Sequence, residues 1–81
     1  MRMESFVPSE ALTGKPRIVL SGQESLLIEQ HRGIVSYTPD RLVVRMNEGR
    51  MNILGSEMKL QSYEKRELWV LGKIKSLEFV L

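Results

Sequence analysis

Few residues of this 81-residue chain could carry out chemistry. His31 is the single histidine and cysteine is absent, so a metal site would depend on carboxylates and no thiolate nucleophile exists. No Gly-x-Ser-x-Gly elbow and no glycine-rich phosphate loop occurs. We therefore expect no catalytic residue, no metal ligand and no cofactor-binding residue. The segment His31-Arg32-Gly33 is interpreted as a turn whose polar groups bond the backbone.

Trp69 and Leu71 are the residues that point most directly to a function. They alternate with Leu68 and Val70, so if that pair faces the core, Trp69 and Leu71 lie on the opposite face of the strand. A large ring beside a leucine on an outer face favours burial against a partner. An equally weighted alternative is a strand buried on both faces inside a sandwich. Tyr63 is also expected to face outward, and it completes the predicted partner-binding set with Trp69 and Leu71.

The elements that position these residues are predicted to be strands. From Arg17 onward, apolar and polar residues alternate, turn residues interrupt them, and no window has convincing helical periodicity. Pro39-Asp40, Asn47-Glu48-Gly49 and Gly55-Ser56-Glu57 are predicted turns. The pattern predicts seven short strands, over Ile18–Leu20, Leu26–Ile28, Ile34–Tyr37, Leu42–Met46, Met51–Ile53, Met58–Leu60 and Glu67–Leu81.

Such short connections predict an all-β fold, a single antiparallel meander with adjacent strands paired, curled into a barrel-like or two-layer sheet. A short stacked solenoid is the alternative arrangement of the same strands. A bulge between Ile74 and Leu77 would bring the apolar residues of the last strand to one side. Residues 17–81 are the predicted β domain, and residues 1–16 a flexible N-terminal arm, poorly ordered or forming a short helical turn. The predicted core comprises Ile18, Leu20, Leu26, Ile28, Leu42, Val44, Met46, Met51, Ile53, Leu60, Leu68, Val70, Ile74 and Phe79.

Composition narrows the classes of function. The chain is 42% hydrophobic and 27% charged, which is ordinary for a globular domain. Its net charge of +2 is weak and its charges are mixed, so no nucleic-acid partner is expected. The longest uncharged stretch, Gly33 to Pro39, is far shorter than the ~20 apolar residues of a membrane span. Glu4, Pro8 and Glu10 interrupt the start, so we expect no signal peptide, no membrane insertion and a cytosolic site of synthesis.

Several segments together resemble a known family. Glu29–Ile34, Leu42–Val44, Gly49–Gly55, Leu60 and Glu67–Phe79 are similar to the YabP/YqfC family of sporulation proteins, and Pro16-Arg17-Ile18 resembles the entry to its YqfC branch. The resemblance covers roughly residues 15–80. Its motifs are patterns of strands and turns. Trp69 and Leu71 depart from it, because they stand where charged residues are expected in this family.

The resemblance implies a non-enzymatic protein of endospore-forming bacteria, made in the mother cell and linked to spore coat or envelope assembly. Its expected partners are a second copy of itself, another sporulation or envelope protein, or both, at the spore coat or forespore envelope. The alternative from a different class is a small nucleic-acid-binding β-barrel, Sm-like or OB-like, since Met46–Gly55 loosely resembles Sm-like barrels. Association through an outer face or edge is favoured because a core of this size yields only ~3–5 kcal/mol.

Overall fold

Within residues 15–81, six strands form one antiparallel sheet. A computed structural model describes residues 15–81, and within that range there is no helix. The sheet has the strand order β1-β2-β6-β5-β4-β3 and is not closed into a barrel. The predicted all-β antiparallel fold is therefore confirmed. The strands are β1 (Arg17–Ser21), β2 (Ser25–Glu29), β3 (Ile34–Thr38), β4 (Arg41–Arg45), β5 (Arg50–Tyr63) and β6 (Glu67–Val80).

The predicted N-terminal arm, residues 1–16, lies almost entirely outside the described residues. Residues 1–14 lie outside the described residues, and only Lys15 and Pro16 of the arm are described. The first strand begins at Arg17.

The prediction that all sequence neighbours pair was wrong at one place. β2 pairs with β6, and among the strands of residues 15–81 β3 pairs only with β4. The connection between β2 and β3 is hydrogen-bonded at two places. The Gln30 N–H donates to the Arg66 carbonyl in the β5–β6 connection at 2.6 Å, and the Arg32 N–H donates to the Arg45 carbonyl at the end of β4 at 2.8 Å. Because the sheet curls, this short connection reaches from β2 to β3 without a long crossover.

The prediction of seven strands was wrong because β5 continues through Gly55, where a turn was expected. The register with β6 shifts between Leu54 and Gly55 and again between Ser56 and Lys59, so the chain bends without leaving the sheet. A Cβ atom on Gly55 would collide with the Lys73 carbonyl, and one on Gly72 would lie 2.6 Å from the Met58 Cα. The two glycines permit the close backbone approach at which the long β5–β6 hairpin bends.

The predicted bulge in the last strand is confirmed. The register passes from Leu54 opposite Ser76 directly to Gly55 opposite Ile74, so Lys75 has no partner in β5. Because of this extra residue, the odd-numbered residues after it face the core, where the even-numbered ones did before it. Leu77 therefore packs against the core as Ile74 does.

The core lies on the concave face of the curled sheet. Side chains of β2 and β4, which are separated by two strands, share one apolar cluster. Of the predicted core, Ile18 and Leu60 are only partly buried, and Leu20 and Phe79 are 49% and 57% exposed, so these last two predictions were wrong. Met58 and Val43 are buried although neither was predicted to be. The cluster consists of Leu26, Ile28, Leu42, Val44, Met46, Met51, Ile53, Met58, Leu68, Val70 and Ile74.

Candidate interaction surface

A contiguous apolar patch lies on the convex face of the sheet, where β1, β2 and β6 run side by side. Val19 lies opposite Leu27, and Leu27 lies opposite Trp69, so the three form one cross-strand row. Leu71 follows two residues after Trp69 and therefore points to the same face. We call Val19, Leu27, Trp69 and Leu71 the outer patch. The inward neighbours Leu26, Ile28, Leu68 and Val70 are fully buried in the core.

Trp69 is held in place within the outer patch. Its indole Nε1–H donates to the Ser25 hydroxyl at 2.9 Å. Ser25 lies opposite Leu71 in the register, so the ring is directed along the sheet toward Leu71. The side chain remains 44% exposed, and Leu71 remains 36% exposed. The predicted outward position of both residues is thus observed, and the alternative of a strand buried on both faces does not apply.

Charged residues border the outer patch. On one side, Arg17 Nη1 and Glu29 Oε1 form an ion pair at 3.2 Å. Glu67 lies directly opposite Glu29, and on the other side Lys59 lies opposite Leu71. An apolar centre with a charged border is the usual arrangement of a surface that binds another protein.

Tyr63 does not belong to the outer patch. It lies opposite Leu68, whereas Trp69 lies opposite Ser62, so Tyr63 and Trp69 occupy different faces of the hairpin. Tyr63 is 55% exposed. Its ring packs on His31 with the centroids 5.6 Å apart and the planes tilted by 36°. The structure therefore brings Trp69 and Leu71 together and places Tyr63 apart from them.

His31 is buried, and both of its ring nitrogens bond the backbone. Nδ1 accepts a hydrogen bond from the Gly33 N–H at 2.9 Å, and Nε2 lies 2.9 Å from the Glu64 carbonyl. Since Nδ1 accepts, the proton belongs on Nε2, which donates to Glu64. The predicted turn with backbone-bonded polar groups is confirmed. It joins the β2–β3 connection to the β5–β6 connection.

Sequence reasoning missed Val19 and Leu27 as parts of the outer patch, and Ser25 as the acceptor for the Trp69 indole N–H. The alternation of residues along β2 already predicts that Leu27 points to the other face of the sheet from Leu26 and Ile28. No local pattern indicated that β2 pairs with β6, because the two strands are far apart in the chain. The register between these strands is what assembles the row.

The sequence was compared with known families and proteins. The model of the YabP family matches residues 13–80. The chain belongs to the YabP family. It is 23% identical over 74 residues to the uncharacterized protein YqfC of Bacillus subtilis (strain 168), an alignment that covers 91% of this chain and 80% of YqfC. No solved structure matches the chain.

The family match covers all six strands of this YabP-family chain and hence the whole outer patch. Membership of the YabP family is consistent with a sporulation-associated protein. Over the described range, no helix is long and apolar enough to cross a membrane. Within the same range, no three His, Asp or Glu side chains are grouped as a metal site would need.

Proposed function

We propose that this YabP-family protein is a non-enzymatic sporulation protein that acts in spore coat or envelope assembly by binding another protein. The observation that carries the proposal is the outer patch, a cross-strand apolar row on the face opposite a fully buried core. Both faces of the same strands are apolar, but among residues 15–81 only the concave face is covered by other parts of the chain. The convex face is thus free to be covered by a partner.

The outer patch presents enough apolar area to contribute to the binding of a partner protein. Trp69 is 44% exposed and Leu71 is 36% exposed. With the exposed edges of Leu27 and Val19, they present roughly 200 Å² of apolar surface, and its burial would contribute about 5 kcal/mol before the cost of association. Tryptophan is also the residue type most often found at the energetic centre of an interface. The ring is pre-positioned by Ser25, so little side-chain freedom remains to be lost on binding.

The proposal includes no catalysis and no cofactor. Both nitrogens of His31 are engaged with backbone groups in a buried turn, so neither is directed at a substrate. The proposed partner is another sporulation or envelope protein. The proposed location is the mother cell, with recruitment to the spore coat or forespore envelope.

Localisation in sporulating cells tests the proposal. A fluorescent fusion of the full chain should collect around the forespore, and Trp69→Glu/Leu71→Lys should remain diffuse at equal abundance. The matched control is Leu54→Lys, which changes an exposed residue on the outer face of another part of the sheet and should behave as wild type. The double variant should remain folded by circular dichroism. If it collects at the forespore as wild type does, the outer patch is not the docking surface.

A second candidate, a nucleic-acid-binding protein, is favoured by one observation. The exposed Tyr63 ring borders a hollow of ≈ 310 Å³ that Arg32, Lys65 and Arg66 also line. Stacking platforms for single-stranded nucleic acid combine such rings with cations. Arg32 and Arg66 are already bonded to Asn47 and Gln30, and we favour the first proposal. A steep fall of log K with log salt for a single-stranded oligonucleotide would reverse that preference.

A further inference from the structure

The two predicted core residues that are exposed, Leu20 and Phe79, mark an opening in the sheet. Leu20 lies opposite the buried Leu26, and Phe79 lies opposite the buried Met51, so by register both belong to the core-facing side. They are nevertheless 49% and 57% exposed. We call the gap between β1 and the second half of β6, Lys75–Val80, the seam.

Two hollows border the seam. The smaller, of ≈ 250 Å³, lies between Leu20, the β1–β2 turn and the β6 residues Ile74 to Leu77. The larger, of ≈ 530 Å³, is lined chiefly by Pro16, Met46, Phe79 and Leu81. Among the described residues, the core-facing side of the sheet is thus incompletely covered along the seam.

The second half of β6 also has a free backbone edge. β2 pairs with β6 only as far as Leu71, and the N–H groups of Gly72 and Ile74 then donate to Glu24 and Gln23 of the β1–β2 turn, at 3.0 and 2.7 Å. Beyond Ile74, none of the strands in the described range pairs with β6 on that side.

The direction of the free groups follows from the hydrogen-bond pattern. The Arg45 N–H donates to the Gly33 carbonyl, and the Arg45 carbonyl accepts from the Arg32 N–H. The main-chain groups of Arg45 therefore face the β2–β3 connection, and those of Val44 face β5. Successive residues of a strand point their N–H and C=O groups to opposite sides. The main-chain groups of Met51 therefore face β4, and those of Asn52 face its partner Glu78 in β6. Glu78 therefore faces β5.

Its neighbours Leu77 and Phe79 accordingly point their N–H and C=O groups out of the free edge. An exposed edge of this kind is a template for another strand. The occupant must supply main-chain donors and acceptors together with apolar side chains on the core-facing side.

We propose that the occupant is the same strand of a second copy of this chain, paired antiparallel about a two-fold axis at Phe79. In this register Phe79 exchanges both hydrogen bonds with Phe79 of the partner subunit, and Leu77 lies opposite Leu81 of the partner subunit. All of these side chains are apolar and lie on the core-facing side, so the exposed rings cover one another. The edge is self-complementary, as an isologous contact requires.

Other registers of the same pairing are less favourable. An axis at Glu78 sets two carboxylates directly opposite each other, which is destabilising in a sheet. An axis at Leu77 would force the bulge at Lys75 and the adjoining β1–β2 turn into the ladder. The Phe79 register avoids both.

The contact is small. A short edge with three apolar side chains from each copy buries less than the roughly 800 Å² per partner of a standard interface. The dimer is therefore expected to dissociate on dilution in the micromolar-to-millimolar range. The proposal is independent of the proposed function, since it uses a different surface from the outer patch.

Analytical ultracentrifugation of the full chain over a range of concentrations tests the proposal. Phe79→Pro removes the N–H that points out of the edge and should raise the dimer dissociation constant by about tenfold or more, because two backbone hydrogen bonds are lost per dimer. Phe79→Lys keeps the N–H but sets two cations together, and it should weaken the dimer as well. The matched control Leu54→Lys should dimerise as wild type.

Amide hydrogen exchange at Leu77 and Phe79 identifies what fills the seam. In the dimer, the protection of both amides should rise with protein concentration. Protection that is present in a monomer at every concentration would mean that the chain's own residues 1–14 fill the seam, and it would overturn the proposal. So would a monomer with both amides unprotected. A dimer that survives Phe79→Pro and Phe79→Lys but is lost in Trp69→Glu/Leu71→Lys would place self-association on the outer patch instead.

Discussion

At the residue scale, His31 shows how a residue type that suggests chemistry can serve the fold. Its two ring nitrogens tie the β2–β3 connection to Glu64 in the β5–β6 connection and to the nearby Gly33. A residue in a surface turn ordinarily contributes little to stability. The burial of the ring and its two backbone bonds predict a larger effect.

His31→Gln should lower the free energy of unfolding by about 1–3 kcal/mol. The glutamine amide can still donate to the Glu64 carbonyl, but nothing replaces Nδ1 as the acceptor for the Gly33 N–H. Urea unfolding followed by circular dichroism measures the loss. Lys65→Gln, in an exposed neighbour, is the control and should change stability by less than about 0.5 kcal/mol. Equal stability of the two variants would contradict a structural role for the imidazole.

At the scale of elements, the β5–β6 hairpin determines the shape of the sheet. Its two strands are 14 residues each, and both bend where Gly55 and Gly72 meet the opposite backbone. Gly72 has φ = 147°, a conformation that side chains with a Cβ rarely adopt. A continuous strand that bends is thus possible only because these two positions carry no Cβ.

Gly72→Ala should lower the free energy of unfolding by about 2–4 kcal/mol. The new methyl group would lie 2.6 Å from the Met58 Cα and 2.7 Å from the Glu57 carbonyl oxygen, so backbone must move, and the conformation is itself strained. Thermal unfolding measures the change. Gly22→Ala separates the two causes: its φ is 60° but nothing lies within 4 Å, so only strain of about 1–2 kcal/mol applies. A Gly72→Ala protein no less stable than Gly22→Ala would show that the close approach is not present.

At the scale of the whole molecule, one curled sheet encloses one core. Residues from β2, β4, β5 and β6 converge on the concave face, which is how a chain of this size buries an apolar cluster without a second sheet or a helix in the described range. The sheet remains open along the seam. The stability of the chain therefore depends on few buried side chains, and each should contribute measurably.

Ile53→Ala or Val44→Ala should lower the free energy of unfolding by about 1–4 kcal/mol, through lost apolar burial and the cavity that remains. Both side chains are fully buried. Since a core of this size yields only ~3–5 kcal/mol, much of the folded population would be lost. Leu54→Ala, one position from Ile53 but exposed, is the control and should be close to neutral. Denaturant titration distinguishes them, and equal midpoints for Ile53→Ala and Leu54→Ala would refute the inward direction of Ile53.

Local features of this fold could be predicted from the sequence because they depend on neighbouring residues. The alternation of apolar residues identified the strands and the direction of Leu26, Val44 and Ile53. The change of parity after Ile74 predicted the bulge, and Asn47-Glu48-Gly49 predicted the β4–β5 turn, where the Met46 N–H donates to the Gly49 carbonyl at 3.0 Å. The departure at Trp69 and Leu71 from the family pattern indicated the outward surface. Each of these depends on period-two geometry or on turn chemistry, which act over a few residues.

The tertiary structure alone decided what depends on contacts between distant segments. Pairing of β2 with β6 assembled Leu27 and Trp69 into one row, and curling of the sheet let four residues connect β2 to β3. Leu20 and Phe79 have the pattern of core residues, yet they lie beside the open seam. The alternation of residues along a strand specifies which side of the strand each residue occupies. Whether that side is covered depends on which other strands reach it, and the closure of the sheet, not the local sequence, determines which strands do.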